Sequence, residues 1–177
     1  MNRFKFIAAG LVSTVIFFLP LDARAVELES RYATIAYSDY RDLRDFNDSL
    51  YMGRLKSGMT GSRDTIEDEV ISKINFIVEK VMVVLDMFPP QLKFSIVIHP
   101  GEKQVQQDFK RLYKIDVDYI AFYSPSQNKV FYSADNATLR VVSHEIGHVV
   151  AENYFTISPP QKIHEVMAQF AEQHITD

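Results

Sequence analysis

An α+β fold, a small mixed sheet with helices before and after it, is predicted by three features of the sequence. Short β-prone runs are interspersed with longer stretches whose apolar residues recur at helical spacing. Two of the β-prone runs lie close enough together to form a hairpin. That hairpin leads directly into an amphipathic helix, which a second helix follows after a proline-rich turn.

Taken in order, residues 31–37 (RYATIAY) alternate and favour a strand. Residues 40–55 place Leu43, Phe46 and Leu50 at helical spacing with charges between them. Residues 57–62 hold two glycines and form a loop. Residues 63–87 are the longest helical pattern, with Val70, Ile74, Ile77, Val81, Val84 and Leu85 as an apolar stripe, and Pro89-Pro90 ends it. Residues 93–99 (KFSIVIH) make a short apolar strand stopped by Pro100-Gly101, and residues 102–113 a helix. Residues 119–123 and 129–132 are β-prone runs separated by Ser124-Pro125-Ser126-Gln127-Asn128, a hairpin. Asp135 or Asn136 is placed to cap the next helix, which extends to about residue 154. Ser158-Pro159-Pro160 makes a turn, and a last helix covers residues 161–174. There is no internal repeat, low-complexity tract or linker.

The 177 residues suit one domain, and 47% hydrophobic with 24% charged residues is a globular composition. A net charge of −4, without a basic stripe and interleaved aromatics, excludes a nucleic-acid-binding surface. Arg3 and Lys5 precede residues 6–21, which carry no charge, and Ala23-Arg24-Ala25 has the small-x-small pattern of a cleavage site. Residues 1–25 are thus read as a secretory signal peptide, leaving 26–177 as the domain. The alternative is an uncleaved membrane anchor, although the run is short for a span and Pro20 interrupts it. No other stretch could span a bilayer. With no cysteine, disulfides, thiolate metal sites and a cysteine nucleophile are all excluded. A secreted or bacterial periplasmic protein held by its core, and by a metal, is the expectation.

The metal is suggested by His144-Glu145-Ile146-Gly147-His148. On the helix that contains it, Leu139, Val142, Ile146, Val149 and Val150 lie on one side. His144 and His148, four residues apart, project together from roughly the opposite side. Imidazoles so placed can reach one zinc ion. Glu145 lies about 100° around the helix from His144, beside the metal and not on it, as suits a general base acting on a water. Histidines at this spacing also occur on solvated helix faces. The metal reading is favoured by the amphipathic helix, the preceding hairpin, the export signal and a compatible third ligand. A Gly-x-x-His continuation would supply a third histidine, but positions 151 and 154 are Ala and Tyr. Glu165, 17 residues after His148 and beyond the proline turn, is the alternative. It shares a helix face with Ala168 and Glu172, and the small Ala168 lets two helices approach. Two imidazoles and one carboxylate leave a fourth coordination position open, as a catalytic site requires.

The His144–His148 motif, Glu165-x-x-Ala168 and the preceding Phe131-Tyr132 strand resemble the gluzincin metallopeptidases, in particular the minimal single-domain kind. The resemblance covers residues 119–172 well and the earlier elements loosely. It implies a zincin-like fold with a thermolysin-type catalytic core: an active-site helix, a glutamate-bearing helix, and a sheet whose edge strand pairs with an extended substrate. It implies Zn2+ held by His144, His148 and Glu165, with Glu145 as base. Val166 stands where many members have glycine, and Gln169 where the thermolysin-like branch has an acidic residue, so the partner that orients His144 stays open.

Glu172 could be that partner or a solvated helix residue. His164 and His174 could donate to a developing oxyanion, their default being surface histidines. Tyr154 could do so too, its default being packing. His99, before Pro-Gly, is read as a loop histidine, and Asn136-Ala137-Thr138 as a helix start instead of a glycosylation site. The expected function is zinc-dependent hydrolysis of peptide bonds in a peptide or protein substrate lying along residues 129–132. The rival from another class is a zinc-stabilised, catalytically inactive binding or scaffold protein. The sequence leaves the oligomeric state open.

Overall fold

Apolar residues alternate along three strands in a way that turns them all to one side. Ala33, Ile35 and Tyr37, then Phe94, Ile96 and Ile98, then Val130 and Tyr132 are buried. A computed structural model describes residues 25–62 and 64–177, so the signal peptide read over residues 1–25 lies outside the described residues but for Ala25. The strands are β1 (Val26–Glu29), β2 (Ala33–Tyr37), β3 (Phe94–His99), β4 (Ala121–Ser124) and β5 (Lys129–Ser133). They form one mixed sheet in the order β1-β2-β3-β5-β4. β2, β3 and β5 run parallel, and β1 and β4 are antiparallel at the two edges.

The helices are α1 (Tyr40–Ser49), α2 (Ile66–Leu85), α3 (Glu102–Tyr113), α4 (Leu139–Tyr154) and α5 (Gln161–His174). Residues of α1, α2, α4 and α5 join the main core with the inward strand residues. α3 covers the opposite sheet face, where Val105 packs with Phe122 and Phe131. Helix starts follow capping chemistry. Arg41 N–H donates to Asp39 Oδ1 at 2.8 Å, and Asp68 N–H to Thr65 Oγ1 at 3.1 Å. Glu67, Asp68 and Glu69 in the first turn of α2 face its positive dipole end. Among the described residues, no helix is long and apolar enough to cross a membrane.

Three expectations change. β1 was not anticipated, because its Val-Glu-Leu-Glu is short and mostly exposed. The helix expected over residues 40–55 stops at Ser49, where Leu50 leaves helical geometry. A tight 3₁₀ segment, Gly53–Gly58, follows and starts at a glycine with φ 52°. The cap of α4 is Thr138, not Asp135 or Asn136. Ser133 Oγ bonds Asp135, and Asn136 Nδ2 donates to Ser133 Oγ at 3.2 Å, so both side chains are engaged with the strand end.

The hydrogen bond from Arg41 holds the Asp39 carboxyl down at about 2, against its ordinary 3.8. A lowered folded-state value adds stability that is present above the unfolded value and lost as pH falls through the folded one. Asp39→Asn keeps a capping oxygen but removes the charge. The stability gap between the two proteins, measured by denaturant unfolding, is expected above pH 3.8 and should close as pH falls through about 2.

Candidate metal centre

α4 places His144 and His148 on successive turns, with ring centroids 5.0 Å apart and planes at 79°. α5 folds back across the Ser158-Pro159-Pro160 turn and brings Glu165 opposite them. His144 Nε2 lies 3.6 Å from Glu165 Oε2, and His148 Nε2 lies 3.6 Å from Glu165 Oε1. One ligand atom from each of the three residues falls within 4.8 Å of the others. A tetrahedral ion with bonds of about 2.0–2.1 Å separates its ligands by about 3.4 Å. The spacing therefore fits a metal ion on these three side chains, and the donor set is two nitrogens and one carboxylate.

The helices meet this closely because of Gly147. A Cβ at that position would lie 2.8 Å from the Ala168 Cα and 3.3 Å from the Ala171 Cβ. Glycine inside a helix costs about 1 kcal/mol relative to alanine, so a mid-helix glycine facing two alanines marks a close crossing. The small Ala168 permits the approach from α5, and Gly147 is its counterpart on the facing helix.

Glu172 is the orienting partner of His144. Its Oε2 is 3.1 Å from His144 Nδ1, and its Oε1 accepts from Arg140 Nε at 3.0 Å. An ionised carboxylate only accepts, so Nδ1 carries the proton and Nε2 presents its lone pair to the ion position. Glu172 lies two turns beyond Glu165 on the same face of α5. Burial first, then the neighbouring His144 and His164, push His148 down to about 3, which keeps its imidazole neutral.

Glu145 is buried beside this set. Burial, with a contribution from Glu165, pushes its carboxyl up to about 8, and a backbone hydrogen bond from Tyr123 opposes the shift. A cation on the ligand set would lower that value through its own charge. Tyr123 belongs to β4, so the edge strand and the motif helix meet at Glu145.

Of the other expected residues, His164 is buried, not a surface histidine. Its Nε2 is 2.9 Å from Glu152 Oε2, its ring centroid is 5.8 Å from that of His148, and Ser158 Oγ donates to Glu152 at 2.7 Å. This ties the end of α4 to the first turn of α5, one residue from Glu165. The role of Glu152 carried no signal in the sequence beyond its charge. His174 bonds Asp177 at 2.6 Å and packs on Phe170, while Tyr154 is exposed and packs edge-on against Phe155. Neither lines the cleft at the ligand set. His99 ends β3, with Nε2 3.0 Å from Asp108 Oδ2.

The ligand set and Glu145 open into a cleft of about 720 Å³ between α5 and β4. The strand expected to receive substrate, residues 129–132, is not available. β5 is hydrogen-bonded to β3 on one side and to β4 on the other. The free edge belongs to β4, because the hairpin folds its first strand to the outside of the sheet.

Gly147→Ala is expected to lower the unfolding free energy by about 1–3 kcal/mol through overpacking and to weaken metal binding by displacing Glu165. Denaturant unfolding and metal titration check this, and a gain in stability would mean that the two helices do not touch there. Glu172→Ala should weaken metal affinity by about 10–100-fold, the usual cost of losing an orienting partner, as read by competition with a chelator.

The chain matches no protein-family model and has no significant match among curated proteins or solved structures, and the functional reading rests on the site's own geometry.

Proposed function

We propose that the chain is a secreted or periplasmic zinc metallopeptidase of the minimal gluzincin kind, with a zincin-like catalytic domain. The observation that carries this reading is the pairing of an incomplete ligand set with a buried carboxylate. His144, His148 and Glu165 supply three ligands, and Glu145 lies beside them at the floor of an open cleft. A structural zinc site is closed by four protein ligands, whereas a catalytic one leaves a position free. Nitrogen and carboxylate donors without thiolate suit zinc. A small mixed sheet, a motif-bearing helix and a following glutamate-bearing helix are the elements the gluzincin resemblance implies, and they support the reading.

When bound, zinc would polarise a carbonyl oxygen and lower the pKa of a water molecule. The chain's own residues do the rest. Glu145 takes the proton from the attacking water and returns it to the leaving amine. Glu172, anchored by Arg140, holds His144 in one ring orientation and one tautomer. The Glu152–His164 pair and Ser158 fix the turn that leads to Glu165. An extended peptide gains main-chain hydrogen bonds by adding to the free edge of β4, the strand whose Tyr123 backbone neighbours Glu145.

Glu145→Gln is expected to keep the metal and lower turnover by at least about 100-fold. Glu165→Ala should lose metal affinity by more than the Glu172 variant. Cleavage of a peptide library, with and without chelator, together with metal analysis of both variants, tests this. Full-affinity metal binding by Glu165→Ala would overturn the ligand assignment. Absence of chelator-sensitive cleavage by a metal-loaded protein would favour the zinc-stabilised binding protein instead.

A further inference from the structure

The cleft has a wall that the chemistry above does not use. Phe109 of α3 is its hub. The Phe109 ring centroid lies 4.7 Å from Tyr113, 5.0 Å from Tyr119 at 86°, and 5.1 Å from Phe122 at 85°. Phe122 stacks in turn on Phe131 at 4.6 Å, within the small core beneath α3. Tyr113 Oη is 2.9 Å from Ser124 Oγ at the end of β4. The wall is therefore braced against both the sheet and the edge strand, and its rings are held in place before anything binds.

Despite that bracing, it leaves apolar surface uncovered. Ile115 is 58% exposed and Tyr119 48% exposed, and both line the cleft that holds His144, Glu145 and Glu165. Single exposed apolar residues are ordinary. Here they line, with Tyr113, the same concave site as the histidines and glutamates, the mixture of apolar surface and a few polar groups usual in a ligand pocket. The titratable lining groups are three histidines and three glutamates, together with tyrosines. No lysine or arginine lines the cleft among the described residues. An acidic substrate side chain lying against Tyr113, Ile115 and Tyr119 would find no lysine or arginine among the lining residues to pair with.

Resting on the peptidase reading, we propose that Tyr113, Ile115 and Tyr119 form a specificity wall that takes a large apolar or aromatic side chain next to the scissile bond of an extended peptide and rejects an acidic one. Phe122 of β4 packs on Phe109, so the wall lies on the sheet face under α3, and a peptide added to β4 turns every second side chain toward that face. Binding there needs no rearrangement of the rings, and the selected side chain buries both its own apolar surface and that of Ile115 and Tyr119.

The test uses metal-loaded protein and matched peptides that differ at one position, carrying Phe, Leu, Gly or Asp. Binding is read on the Glu145→Gln variant by peptide fluorescence anisotropy, and cleavage on the unaltered protein by mass spectrometry. Phe and Leu peptides are expected to bind at least about tenfold more tightly than Gly, and Asp more weakly than Gly. Cleavage should fall at a fixed offset from the apolar residue. Tyr119→Ser and Ile115→Ser, both exposed and so compatible with folding, should each shrink the Phe-over-Gly ratio severalfold. Cleavage with no such preference, or a preference left intact in both variants, overturns the wall and leaves the peptidase. A binding preference without chelator-sensitive cleavage overturns the peptidase and leaves the wall as a peptide-binding surface. Neither preference nor cleavage overturns both.

Discussion

The close crossing of α4 and α5 is the constraint on which the site depends. Glu165 reaches the two histidines only because Gly147 has no side chain and Ala168 and Ala171 have small ones. Helix axes separated by larger residues would set the carboxylate too far away for one ion to bridge all three ligands. The glycine is unfavourable for the helix that contains it, and that cost is borne by a helix whose Val142, Ile146, Val149 and Val150 are fully buried against the main core. The core sets α4 in place, and the small-residue seam then sets α5 against α4.

Two polar ties lock what the seam allows. At one end, Arg140, Glu172 and His144 form a chain of hydrogen bonds between the helices. At the other, Glu152, Ser158 and His164 fasten the connecting turn. Glu165 lies between these ties and is itself partly exposed, so its aim depends on both. The cleft side of the site is set by the sheet. β4, turned outward by the hairpin, brings Tyr123 to Glu145, and α3 with the segment that follows it sets the aromatic wall beside β4.

Much of this was legible in the sequence, for physical reasons. The strands β2 and β3 alternate in burial, β5 is a short β-prone run bounded by turn residues, and α2 and α4 carry long apolar stripes, so local pattern located them. His144, Glu145 and His148 were legible because ligand geometry on a helix is a matter of spacing alone. Glu165 required a guess at how a turn folds, and the prolines at 159 and 160 made that guess constrained. Strand order was not legible. Whether β4 or β5 lies at the edge depends on which one pairs with β3, and the short, mostly buried runs of both strands are compatible with either arrangement. The burial of His164 beside Glu152 was not legible, because it is a tertiary fact that one residue's neighbours in sequence do not encode. Thr138 outcompeted Asp135 and Asn136 as a cap because those side chains found a partner in Ser133.

The helix pair has one further consequence. His144, His148, Glu165 and Glu172 all fall in the last two helices, joined by a turn of six residues, 155–160. Closing so short a loop loses little chain entropy, and the chain has no disulfide to hold the pair together. Capture of an ion and docking of α5 onto α4 would then be coupled, because the three side chains come together only when the helices meet. An ion held there would act as the staple that a cysteine-free chain otherwise lacks. Its affinity would be set less by the imidazoles, which α4 presents in advance, than by how completely the second helix has already found its seam.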